Sequence, residues 1–142
     1  LVANAGVLIT KILTTKTNES VNFLITDAGM QTLLRPAIYN ASHKIIALTN
    51  NSNDKIEYTV AGPICESSDI LAKKITLSQQ QTGNYLAICD TGAYGSVMSS
   101  NYNTKGLPAE ILISNDNFSI IRNHEKISSI IARDIIPHWL RD

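Results

Sequence analysis

Residues 109–123, "AEILISNDNFSIIRN", decide the fold class. Two runs rich in Ile, Leu and Phe flank "SNDN" at 114–117. Asn and Asp tolerate the backbone of a tight turn, so the stretch reads as a β-hairpin. "TNES" at 17–20 joins two more apolar, β-branched runs in the same way. Working outward, short runs of Val, Ile, Thr and Tyr bounded by Gly, Asn, Asp and Ser predict strands near 6–15, 20–27, 44–49, 56–61, 72–77, 84–90, 109–114 and 117–122. Two segments break this pattern. "QTLLRPAIY" at 31–39 predicts a short helical turn, and "EKISSIIARDII" at 125–136 puts Ile127, Ile130, Ile131 and Ile135 on one helical face, with Pro137 as its stop. The expected class is mainly β: a Greek-key β-barrel or sandwich with a short helix near 31–39 and a C-terminal helix near 125–136, without internal repeats.

Composition narrows the functions open to such a domain. The 142 residues, 44% of them apolar, suffice for one compact domain with its own core. Twelve basic residues balance twelve acidic ones, which argues against nucleic acid or an anionic membrane surface as partner. No apolar run approaches the roughly 18–20 residues that span a bilayer. Cys65 and Cys89 lack a CxxC spacing, which fits a reducing, cytoplasmic setting better than a disulfide framework. The chain opens "LVANAGVLITKIL" without methionine, so a longer parent protein is expected.

Taken singly, the remaining motifs are ambiguous. His43, His124 and His138 stand at spacings that suit no zinc pattern and read as surface residues, so no metal site is expected. Asn-x-Ser sequons at Asn18, Asn40, Asn50 and Asn117 are discounted, because a chain rich in Asn, Ser and Thr produces such matches by chance. "DTGAYGSVMSSNYN" at 90–103 reads as a strand-exit turn or as backbone approaching an anion. Arg35 before Pro36 reads as a surface ion pair or a ligand contact, and Cys65 as a small buried hydrophobe or a reactive thiol.

Together, "VANAGVL" at 2–8, "DAGMQTLLRPAIYNASH" at 27–43, "GPICESSDILA" at 62–72 and "DTGAYGSVMSSNYNTKGLPAEIL" at 90–112 resemble, in order and spacing, the C-terminal β-domain of the bacterial diaminopimelate decarboxylase family, of the fold-type III pyridoxal-phosphate decarboxylases. The resemblance covers nearly the whole chain. It implies that residues 1–142 are a single C-terminal β-domain of a two-domain enzyme, whose N-terminal β/α barrel, Schiff-base lysine and most phosphate-binding residues lie upstream of Leu1. The fragment alone is then expected to be inactive. The resemblance also implies a homodimer with shared active sites, conversion of meso-2,6-diaminopimelate to L-lysine and CO2 in lysine biosynthesis, and pyridoxal 5'-phosphate as cofactor.

The chemistry explains the residue types. Decarboxylation leaves a carbanion that an acid must reprotonate, and a thiol, with an ordinary pKa near ~8.5, is mostly protonated at neutral pH. By the resemblance, Cys65 is that acid in the partner subunit's site. The unreacted end of diaminopimelate presents an ammonium and a carboxylate. Glu66 suits the ammonium. Arg35 suits the carboxylate through its bidentate fork, with Tyr39 able to share it. Tyr94 matches the family tyrosine that lies against the cofactor and its phosphate. Related ornithine decarboxylases carry "CD" where this chain has "CE" and lack the Arg-Pro pair, which favours diaminopimelate over ornithine or arginine.

Two positions depart from the family pattern. Ser68 stands where "CESGD" is usual, so a positive φ there would strain the Cys65 loop, and Asn40 replaces a common Asp. The alternative readings are a non-catalytic β ligand-binding or interaction module, or a decarboxylase of another basic amino acid.

Overall fold

The computed structural model describes residues 1–49 and 52–141; the Asn50 sequon falls outside them. They divide into two compact units, Leu1–Ser99 and Ser100–Asp142. The first begins with a 3-10 turn at Ala3–Ala5 and contains β1 (Leu8–Asn18), β2 (Val21–Thr26), α1 (Arg35–Tyr39), β3 (Ile45–Ala47), β4 (Lys55–Ala61), β5 (Ile70–Ser78) and β6 (Tyr85–Ile88). The second contains β7 (Glu110–Ser114), β8 (Asn117–Arg122) and α2 (Ile127–Ile131). Each strand expected from the sequence is present, displaced by a few residues at most at its ends.

In the first unit the six strands form one sheet in the order β3-β6-β1-β2-β4-β5, antiparallel except for the parallel pair β2–β4. The edge strands β3 and β5 approach each other, so the sheet curls into a nearly closed barrel. Strand alternation sets what goes inside: along β1, Thr10 and Ile12 are buried while their immediate neighbours are not. Ile12, Leu24, Leu33, Val60, Leu86 and Ile88 are each at most 1% exposed and form the core. A fully buried side chain of this size contributes about 1.5–3 kcal/mol.

"TNES" forms a two-residue turn, since Asn18 pairs with Val21 and Glu19 takes φ 53°. In the second unit Ser114 pairs with Asn117, and Asn115 takes φ 52°. That hairpin carries Ile111, Ile113, Phe118 and Ile121 exposed, and no described residue of the unit is buried.

The helices are shorter than expected. In the 31–39 segment, Thr32 and Leu33 donate their N–H groups to the Gly29 carbonyl in a turn, and α-helix begins only at Arg35, where Pro36 fits the first turn because its missing N–H has no intrahelical role. Asn40 ends α1 at φ 52°, a left-handed conformation that Asn tolerates well. In the 125–136 segment the helix stops at Ile131, well before Pro137. β-Branched Ile is a modest helix former, and Ile127, Ile131 and Ile135 are exposed rather than packed, so nothing in the unit rewards further turns. No helix of the described residues is long and apolar enough to cross a membrane.

Candidate active site

Arg35 opens α1, and Tyr39 lies one helical turn further on, which puts the two side chains on one face. The Arg35 guanidinium carbon is 5.8 Å from the centroid of the Tyr39 ring and 5.8 Å from that of Tyr94. A cation at that distance from two ring faces is held by their quadrupoles. Among the described residues Arg35 has no ion-pair partner, which removes the reading of it as one half of a surface salt bridge. Its charge is therefore available to a ligand. Arg35 and Tyr94 line a cleft of about 320 Å³ with Ala3, Ser42, His43 and Asp90.

Tyr94 reaches this place because its turn is fastened to the N-terminal segment. Thr91 N–H donates to Gly6 O at 3.0 Å, and Gly92 N–H donates to Ala3 O at 2.9 Å. Gly6 and Gly92 are needed for close approach: a Cβ on Gly6 would lie 2.4 Å from Gly92 Cα, and one on Gly92 would lie 2.1 Å from the Val2 carbonyl oxygen. "VANAG" and "DTGAYG" are thus two sides of one backbone contact. Tyr94 itself sits at φ 57°, a left-handed position that an aromatic residue adopts at some cost, and the residue is 61% exposed.

Cys65 and Glu66 stand on the loop between β4 and β5, both exposed. Exposure corrects the reading of Cys65 as a buried hydrophobe. Glu66 Oε1 accepts hydrogen bonds from Ser68 Oγ at 3.1 Å and Ser68 N–H at 3.3 Å. The Ser68 backbone and side-chain donors hold the Glu66 carboxyl below its ordinary range, so it is anionic at neutral pH. The feared strain at Ser68 is absent, since its φ is not positive. Its hydroxyl instead gives Glu66 a donor that glycine could not supply. Among the described residues no hydrogen bond, ion pair or ring contact links Cys65 or Glu66 to Arg35, Tyr39 or Tyr94. The chain carries two separate sets of candidate residues.

Asp69 was not singled out from the sequence, yet it fixes the Cys65 loop. It is 2% exposed, and its carboxylate accepts the Met30 N–H at 2.6 Å and the Ile64 N–H at 2.8 Å. Burial pushes its carboxyl above the ordinary range, against the pull of those two donors. Gly29 and Gly62 make room for it: a Cβ on either would come within 2.5 Å of an Asp69 oxygen. Only the acid in "CESSD" hinted at this. His43 corrects a second expectation, being 8% exposed rather than on the surface, whereas His124 and His138 are exposed. Cys89 is half-buried just past β6, as expected of a packed residue.

Comparison with known proteins gives a consistent result. Residues 1–92 match the family "Pyridoxal-dependent decarboxylase, C-terminal sheet domain". The chain is 44% identical over 131 residues to diaminopimelate decarboxylase of Haemophilus influenzae, covering 92% of this chain and 31% of that protein. It is 42% identical over 142 residues to the enzyme of the same name from Archaeoglobus fulgidus, covering 99% of this chain and 33% of that protein. The crystal structure of diaminopimelate decarboxylase from Methanocaldococcus jannaschii in complex with L-lysine superposes with a TM-score of 0.93 at 39% identity, over 97% of this chain and 32% of that one. The chain spans about a third of the length of the relatives it matches.

Proposed function

The chain belongs to the C-terminal sheet domain family of the pyridoxal-dependent decarboxylases, and on that premise we propose that it is the C-terminal part of a diaminopimelate decarboxylase that releases CO2 from meso-2,6-diaminopimelate to give L-lysine. The observation that carries the substrate assignment is the Arg35 guanidinium, set between Tyr39 and Tyr94 without an ion-pair partner among the described residues. A pre-oriented fork is what a distal carboxylate requires.

The residue roles follow from their chemistry. Arg35 takes the distal carboxylate in two parallel hydrogen bonds, and the Tyr39 hydroxyl adds a third. Glu66, held anionic by Ser68, takes the distal ammonium. The exposed Cys65 thiol returns a proton to the carbon from which CO2 has departed. Cys65 and Glu66 lie apart from the Arg35 cleft, which supports a homodimer in which each site draws one set of residues from each subunit.

Pyridoxal phosphate, when bound, takes up the electron pair left by the departing carboxyl carbon. The residues present fit such a group: Tyr94 offers an exposed ring beside a cation in an open cleft. No lysine among the described residues lines that cleft, and the proposal takes the covalent anchor from an upstream barrel. By the same proposal the enzyme works in the cytoplasm.

The test is substrate competition in the full-length protein with pyridoxal phosphate. CO2 release from meso-diaminopimelate should exceed that from ornithine or arginine by at least ~100-fold in kcat/KM, because a site built to pair a carboxylate rejects analogues lacking it. Equal turnover of ornithine would assign the chain to another basic amino acid.

A further inference from the structure

His43 is the one buried histidine among the described residues, and it lines the same cleft as Arg35 and Tyr94. Its Nδ1 lies 3.0 Å from the Cys89 carbonyl oxygen. A carbonyl oxygen can only accept, so Nδ1 carries the proton and donates. In the neutral ring Nε2 is then bare. It is shielded from solvent and has no hydrogen-bond partner among the described residues.

The Nδ1 bond sits where the strand ladder ends. Ile45 pairs with Ile88, and Cys89 N–H donates to Lys44 O at 2.9 Å. Beyond Cys89 the chain leaves the sheet: Asp90 takes φ 60°, Thr91 and Gly92 bond to the N-terminal segment, and Tyr94 follows at φ 57°. On the other side, His43 lies four residues past Tyr39, at the exit of α1. Its ring therefore fastens the segment that leaves the Arg35 helix to the segment that leads into the Tyr94 turn. Backbone pairing alone stops one residue short of that point.

We infer that His43 is a positioning residue of the Arg35–Tyr94 cleft, acting through its Nδ1–H bond to the Cys89 carbonyl; the inference rests on the reading of that cleft as the substrate site. Bulk alone cannot tie the two segments, because the tie is the bond from Nδ1–H to the Cys89 carbonyl. Nδ1 is the atom for which the position requires histidine.

Three variants of the full-length enzyme separate the atoms. Asn places its side-chain amide where Nδ1 lies, Gln places it where Nε2 lies, and Leu keeps bulk only. His43→Leu should raise the KM for diaminopimelate about tenfold, since displacement of a positioning group by a fraction of an ångström weakens an aligned contact. His43→Asn should restore KM to within about threefold of wild type, and His43→Gln should resemble Leu. Ring-nitrogen NMR of the wild type, which needs no turnover, should show Nδ1 protonated and Nε2 bare. Rescue by Gln but not Asn, an unchanged KM in His43→Leu, or the opposite tautomer would each overturn the inference. If Leu fails to fold, the Asn and Gln pair still decides. A wild-type protein inactive on diaminopimelate would count against the proposed function, while the ring-nitrogen spectrum would still judge the tie to Cys89.

Discussion

The Asp69 carboxylate accepts the Met30 N–H at 2.6 Å, joining the loop that carries Cys65 and Glu66 to the turn that leads into the Arg35 helix. Its other oxygen holds Ile64 within the loop itself. One buried side chain thus ties the Cys65–Glu66 loop to the segment that precedes α1.

Asp69→Asn replaces one acceptor oxygen by an NH2 group that faces an N–H, leaving a buried donor unpaired. The loss should be about 1–3 kcal/mol of stability. Gly62→Ala should destabilise by a similar ~1–3 kcal/mol, because its Cβ would overlap the same carboxylate. Chemical denaturation of the full-length protein measures both. An Asp69→Asn protein as stable as wild type would show that the carboxylate does not hold the loop.

Cys65→Ala should lower kcat ~10²-fold or more with little change in KM, since a proton donor acts in the transition state. Cys89, half-buried beyond β6, is the internal control: Cys89→Ala should change stability and leave kcat near wild type. The thiol of Cys65 should also react first with a bulky disulfide reagent. Near-normal turnover of Cys65→Ala would move the acid role to another residue.

Much of this was legible in the sequence because it is local. Strand positions follow from β-branched runs and turn residues, and both two-residue turns came out where "TNES" and "SNDN" place them. The Arg35–Tyr39 pairing follows from helical spacing. What was not legible depends on partners far along the chain. His43 bonds to a carbonyl 46 residues away, and Asp69 to the Met30 N–H, 39 residues away. The length of α2 failed for another reason: an apolar stripe specifies a helix face only when something packs on it, and Ile127 and Ile131 remain exposed.

The second unit should lose stability in acid through Glu125. Its carboxylate accepts from Asn101 Nδ2 at 2.6 Å and Leu107 N–H at 3.2 Å, and these donors, Asn101 first, hold its pKa below the ordinary 4.5. A depressed folded pKa means that the contribution is complete above about pH 4.5 and is lost as pH falls through the lower folded value. Protection of the Leu107 amide from hydrogen exchange, relative to its intrinsic rate at each pH, should fall across that window in wild type and show a flatter profile in Glu125→Gln. Identical profiles would mean that the carboxylate does not organise this segment.

Shared sites predict complementation. Full-length chains lacking Cys65, mixed with chains lacking the Schiff-base lysine expected upstream, should recover up to about a quarter of wild-type activity by random pairing, because half of the dimers are mixed and each keeps one intact site of two. No recovery from demonstrated heterodimers would mean that each site is built within one chain.

The most direct measurement is the substrate dependence of Arg35→Lys. Lysine keeps the charge but loses the bidentate fork, so kcat/KM for meso-diaminopimelate should fall by ~1–3 kcal/mol, roughly ten- to a hundredfold. Cadaverine, which has an ammonium at each end and no carboxylate, should bind the variant and the wild type almost equally, while Glu66→Gln should weaken both compounds. Equal losses for diaminopimelate and cadaverine on changing Arg35 would contradict the account, because a residue that grips the distal carboxylate cannot affect a ligand that lacks one to the same extent.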